Sequence, residues 1–205
     1  MQLWCKFCFS QEPVWKPAST GKFFTPQEVF DGLVRNAKKH GNKIISASAS
    51  EGTLGKAHLF ELLSLVDETD YVYVLETNGM TLGADVEYCK ALAQFKNLHV
   101  RVSIKGCNED EFHTLTGAKK EAYELPYQAL KNLIDEGVSV NACLMVSFSD
   151  DKTIKQAREK LYATHPGLLK SLELERIKQF PRVRARLNKH SLKANQQISC
   201  VNIKY

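Results

Sequence analysis

Cys5 and Cys8 bracket Lys6 and Phe7 in MQLWCKFC, at the head of a 205-residue chain. Two thiols three positions apart can form half a zinc site, a thiol–disulfide couple or part of an iron–sulfur site. A zinc site needs about four ligands, and no second C-x-x-C or H-x-x-x-H follows. A redox couple is helped by a helix N-terminus that lowers the thiol pKa. Here no strand precedes the pair, and Pro13 and Pro17 follow it. Iron–sulfur ligation asks for thiolates in a loop, and a pair leaves that ligand set incomplete.

The other cysteines, Cys89, Cys107, Cys143 and Cys200, stand singly and make no disulfide framework. Cys89 and Cys143 read as buried thiols, and Cys107 is a remote candidate for a further thiolate. No apolar run approaches the ~20 residues of a membrane span, and no signal peptide is readable. The expectation is a soluble, cytoplasmic protein without membrane contact. The net charge is +5, and after Glu175 every charged side chain is basic, including Arg176, Lys178, Arg182, Arg184, Arg186 and Lys189. This end reads as a solvated helix face and a loose tail, with a polyanion such as RNA as the alternative partner.

The elements that must position these residues alternate in type. The stretch 24–41 reads as a helix with Thr25 as N-cap, Pro26 at the first helical position and Glu28 closing a capping box. Gly41 can end it in a left-handed turn. Strands are predicted at 43–50, 71–79, 98–106, 138–148 and 171–180. Helices are predicted at 58–66, 84–95, 125–137, 151–165 and 181–189. Strands alternating with amphipathic helices imply right-handed βαβ units and a parallel sheet. Ligands of such sheets sit at the carboxyl ends of the strands. Those ends carry SASEG, ETNG, SIKG and SFSDD.

Here the chain resembles the radical S-adenosylmethionine (SAM) superfamily, whose signature is C-x3-C-x-aromatic-C. Cys5-Lys6-Phe7-Cys8 matches its last four positions, and the first cysteine falls at Met1. Further along, Ser48-Ala49-Ser50-Glu51-Gly52 stands where the family has Gly-Gly-Glu-Pro. Glu76-Thr77-Asn78-Gly79 and Arg101-Val102-Ser103-Ile104-Lys105-Gly106 resemble the branch that includes pyruvate formate-lyase activating enzymes.

The resemblance implies an α/β fold, a partial (βα)6 barrel over residues 1–189 whose first strand lies upstream of the written start and whose first cysteine is lost at the Met1 position. Residues 190–205 are left as an unassigned tail. It implies a [4Fe-4S] cluster held by Cys5 and Cys8 with one further thiolate. It implies SAM bound by Phe7, Ser50, Glu51, Asn78, Ser103 and Lys105, with Ser103 at the ribose or methionyl group and Lys105 at the carboxylate. The implied reaction is reductive cleavage of SAM to a 5′-deoxyadenosyl radical, which acts on a small molecule or a protein. The implied electron donor is a flavodoxin or ferredoxin. Two alternatives remain beside this reading: a degenerate, non-catalytic relative, and a C-x-x-C zinc or redox protein.

Overall fold

A computed structural model describes residues 3–48, 50–195 and 197–198. Met1, Ala49, Cys200 and Lys204 lie outside the described residues, and with them the expectation that Met1 stands at a ligand position. In chain order the helices are α1 (Gln11–Trp15), α2 (Pro17–Thr20), α3 (Pro26–His40), α4 (Lys56–Asp67), α5 (Met80–Ala84), α6 (Val86–Leu92), α7 (Glu109–Thr116), α8 (Glu124–Asp135), α9 (Asp151–Thr164) and α10 (Pro181–Lys189). The strands are β1 (Ile44–Ile45), β2 (Val72–Thr77), β3 (Leu98–Ile104), β4 (Val140–Met145), β5 (Glu173–Glu175), β6 (Ile177–Lys178) and β7 (Gln197–Ile198).

β1 to β5 form one sheet in sequential order, and every pair is parallel. This is the parallel sheet that the alternation predicts, curled into the half-barrel that the resemblance implies. Its register sorts the side chains. Leu75, Val100, Val102, Ile104, Ala142 and Leu144 point to one face and join the main core beneath α4, α6 and α8. Glu76 pairs with Arg101, Arg101 with Asn141, and Ser103 with Cys143, which pairs with Glu173. Paired residues share a face, so this second set lines the concave side. Asn141 and Cys143 therefore face inward, a choice that alternation alone leaves open.

Local signals set several boundaries. The Thr25 side chain accepts from the Glu28 N–H at 3.2 Å, and Glu28 accepts from the Thr25 N–H at 2.7 Å, completing the capping box of α3. Gly41 ends α3 at φ 67°, in the left-handed region. The helix predicted at 84–95 is interrupted at Asp85, whose carboxylate caps α6 through the Tyr88 N–H. Gly79 has φ 76°, and a Cβ there would lie 2.9 Å from Pro126 Cα and Val102 Cγ1. Glycine is thus required by conformation and by packing.

Two differences from the sequence reading stand out. The strand predicted at 171–180 breaks at Arg176, and its halves belong to different sheets. The Ser147 hydroxyl accepts from the Ile177 N–H at 2.7 Å and holds the break. The segment beyond 189, for which no partner is predicted, places β7 in parallel beside β6. Asn195 secures it by donating its N–H to the Ser147 carbonyl at 2.6 Å. Among the described residues no helix is long and apolar enough to cross a membrane.

Candidate functional site

The N-terminal segment crosses the sheet end by hanging on α7. The Trp4 and Lys6 N–H groups donate to the Thr116 and Leu115 carbonyls, each at 2.9 Å. The alternate residue, Cys5, is thereby turned the other way, and the Cys8 N–H closes a tight turn onto the Cys5 carbonyl at 3.1 Å. Both thiols line a cleft of about 590 Å³ at the carboxyl ends of the strands. Ser50, Glu51, Asn78, Ser103 and Lys105 line the same cleft. Seven of the eight residues expected from sequence thus converge.

Phe7 is the exception. Its ring is buried in a second apolar cluster with Leu115, Met145, Val183 and Leu187, 5.6 Å from the Phe148 ring. It anchors the cysteine loop and presents no ring to the cleft. Cys107 does not line the cleft either. Its thiol donates to the Met145 carbonyl at 3.5 Å, and burial pushes it up to about 12.

The end of β2 is organised around Glu51. Its Oε1 accepts from the Thr53 and Thr77 hydroxyls, each at 2.7 Å, and its Oε2 accepts from the Asn78 N–H at 2.7 Å. Asn78 Oδ1 in turn accepts from the Met80 N–H at 2.9 Å. That leaves its amide nitrogen without a partner among the described residues.

The opposite wall is an ion-pair lattice. Lys105 Nζ donates to Glu175 Oε2 at 3.3 Å, and the Ser103 hydroxyl to Glu175 Oε1 at 3.4 Å. Arg101 reaches Glu173 at 2.8 Å, Glu175 at 3.1 Å and Glu76 at 3.5 Å. Asn141 donates to the other Glu173 oxygen at 2.7 Å. Burial disfavours the Lys105 ammonium, but Glu175, together with the Cys5 and Cys143 sulfurs, more than offsets it and the lysine is raised above its ordinary value. Burial would also raise Glu175, yet Lys105 and Arg101 together hold it below the carboxylate range. Cys5 is pushed up to about 11 by burial, against the opposing pull of Lys105.

The sequence reading passed over Glu76, Arg101, Glu173 and Glu175 as site residues. In β3 and β5 their signal is a polar residue at every second position, while Glu76 follows the apolar run of β2. It becomes legible only when the register places Arg101 between β2 and β5.

The chemistry of the wall fits SAM. The cleft volume lies within the range of small-molecule sites. Glu51, Glu76 and Glu175 oppose Arg101 and Lys105, a net single negative charge. SAM carries sulfonium, ammonium and carboxylate, a net single positive charge. Trp15, also on the wall, has a buried indole N–H that meets no hydrogen-bond acceptor among the described residues. The fit to an iron–sulfur cluster is partial. Cys5 and Cys8 supply two thiols, and among the described residues no group of three or more His, Cys, Asp or Glu could hold a metal ion.

No curated protein sequence matches the chain. Several solved structures match its fold. One described as native anSMEcpe with bound AdoMet shares 15% identity at TM-score 0.62, covering 94% of this chain and 59% of the other. Streptococcus suis SuiB bound to S-adenosylmethionine shares 15% identity at TM-score 0.64, covering 92% and 44%. HydG, described as a maturase of the [FeFe]-hydrogenase, shares 15% identity at TM-score 0.63, covering 86% and 41%. The chain therefore spans about half the length of these structures. Residues 3–161 match the family described as the Radical SAM superfamily, and the chain belongs to that superfamily.

Proposed function

We propose that the cleft binds SAM, and that Cys5 and Cys8 contribute two of the thiolates of a [4Fe-4S] cluster in an enzyme that cleaves SAM reductively. The observation that carries this reading is the convergence of Cys5, Cys8, Glu51, Asn78, Ser103 and Lys105 on one cleft at the carboxyl ends of parallel strands. When bound, the cluster would supply the electron that breaks the sulfonium C–S bond to give a 5′-deoxyadenosyl radical.

The chain's own residues bind and orient. Lys105 offers its ammonium to the SAM carboxylate while Glu175 holds it in place. Ser103 serves the ribose or methionyl group, Glu51 the amino group, and Ser50 and Asn78 complete that end. Phe7 acts by fixing the cysteine loop. A flavodoxin or ferredoxin is the proposed electron donor. The substrate is a small molecule or a protein. SuiB is also described bound to a precursor peptide, SuiA, which keeps a peptide among the candidates.

Anaerobic iron–sulfide reconstitution tests the reading. The expected result is about four irons per chain, with dithionite-driven conversion of SAM to methionine and 5′-deoxyadenosine. SAM binding without iron uptake would instead assign a non-catalytic relative. Tightly held zinc, or a titratable Cys5–Cys8 disulfide with no SAM binding, would assign a zinc or redox protein.

A further inference from the structure

Glu51 departs from a simple ligand carboxylate because most of its accepting capacity is already used. A carboxylate offers about four lone-pair sites. Two on Oε1 are taken by the Thr53 and Thr77 hydroxyls at 2.7 Å, and one on Oε2 by the Asn78 N–H at 2.7 Å. One site on Oε2 remains. The two threonines are 2% and 3% exposed, so neither hydroxyl has water as a substitute partner.

Each threonine is itself held. Thr77 Oγ1 accepts from the Gly79 N–H at 3.1 Å, so its proton is committed to Glu51. The Thr53 carbonyl accepts from the buried Tyr88 hydroxyl at 3.0 Å, tying the loop to α6. Three hydrogen bonds from three separate chain positions fix both the position and the rotation of one carboxylate.

We infer that Thr53 and Thr77 are positioning residues that aim the remaining acceptor site of Glu51 into the cleft, where it receives the ammonium of the ligand's amino-acid end. This rests on the SAM-binding reading above. Charge-assisted hydrogen bonds are about twice as strong as neutral ones and are sensitive to geometry. A carboxylate free to rotate would lose that advantage and would be re-solvated between ligands. Because the clamp acts only on the amino-acid end, it discriminates between ligands that have that end and ligands that lack it.

The experiment measures anaerobic equilibrium binding of SAM and of 5′-methylthioadenosine, which shares the nucleoside but has no amino acid. The parent chain is compared with Thr77→Val, Thr77→Ser and Thr53→Val. The expected result is a roughly tenfold loss of SAM affinity in both valine variants. Methylthioadenosine affinity should stay within about twofold, and Thr77→Ser should restore SAM binding. Equal losses for both ligands would reduce the threonines to a structural staple and overturn the inference. Unchanged SAM affinity in a folded Thr53→Val chain would overturn it as well, even if Thr77→Val fails to fold. A parent chain that binds no SAM would overturn the proposed function itself, an outcome distinct from either.

Discussion

The two faces of the sheet come from the same strands and do opposite things. On the convex side, Leu75, Val100, Ile104 and Leu144 are essentially fully buried under helices. On the concave side, Glu76, Arg101, Lys105 and Glu175 meet in a charged lattice beside an open cleft. Sheets with both faces dry carry continuous apolar strands. Here β3 alternates instead, and each change of face is a change of role. Stability and ligand chemistry can therefore be altered separately, one residue apart on the same strand.

The largest effect should come from the convex face. Leu144→Ala removes a fully buried side chain and should cost about 3 kcal/mol in denaturant unfolding. SAM affinity of the folded fraction should stay unchanged, and a specific loss of SAM binding would break the separation of faces.

Arg101→Met strikes the concave face. It leaves Glu173 without its cation and Glu175 with Lys105 alone, since Arg101 reaches both and is only 20% exposed. A cost of about 2 kcal/mol is expected, together with weaker SAM binding as Glu175, no longer shared with Arg101, draws Lys105 away from the SAM carboxylate. A neutral result in both measurements would demote the lattice to a solvated surface.

Glu175→Gln sharpens the electrostatic side through pH. Glu175 is held below its ordinary value of 4.5 in the folded chain. Its contribution is present above the unfolded-state value and is lost as pH falls through the lower folded value. The parent chain should lose stability across that acid window, and the variant should show a shallower loss, read from urea midpoints between pH 6 and 3. Parallel curves would show that the lattice does not govern the acid limb.

The smallest effect belongs to neither face. Thr25→Ala removes one half of the α3 capping box and should cost about 1 kcal/mol. It should leave SAM binding and the acid window untouched, which sets the scale for a purely local change.

The legible part of this molecule was local. The Thr25 cap, the Gly41 terminator, the alternation of strand and helix, and the polar endings around Glu51, Asn78 and Lys105 could all be read in order. Each depends on neighbours a few residues away, where propensity, period and capping chemistry act directly. The side of the loop to which the Phe7 ring turns was not legible, because the four-residue pattern Cys5–Cys8 does not say which of its side chains packs against Phe148 and Met145.

By itself the sequence determined that this chain builds parallel βα units with chemistry gathered at one end of the sheet. Only the tertiary structure decided which face turns inward. It also decided that Arg101 lies between Glu76 and Glu173, residues 25 and 72 positions away, and that residues past 189 return to Ser147 and β6. Those outcomes depend on strand register and on a break at Arg176. Both are set by summed packing across the whole sheet, to which no short stretch of sequence contributes enough to be read alone.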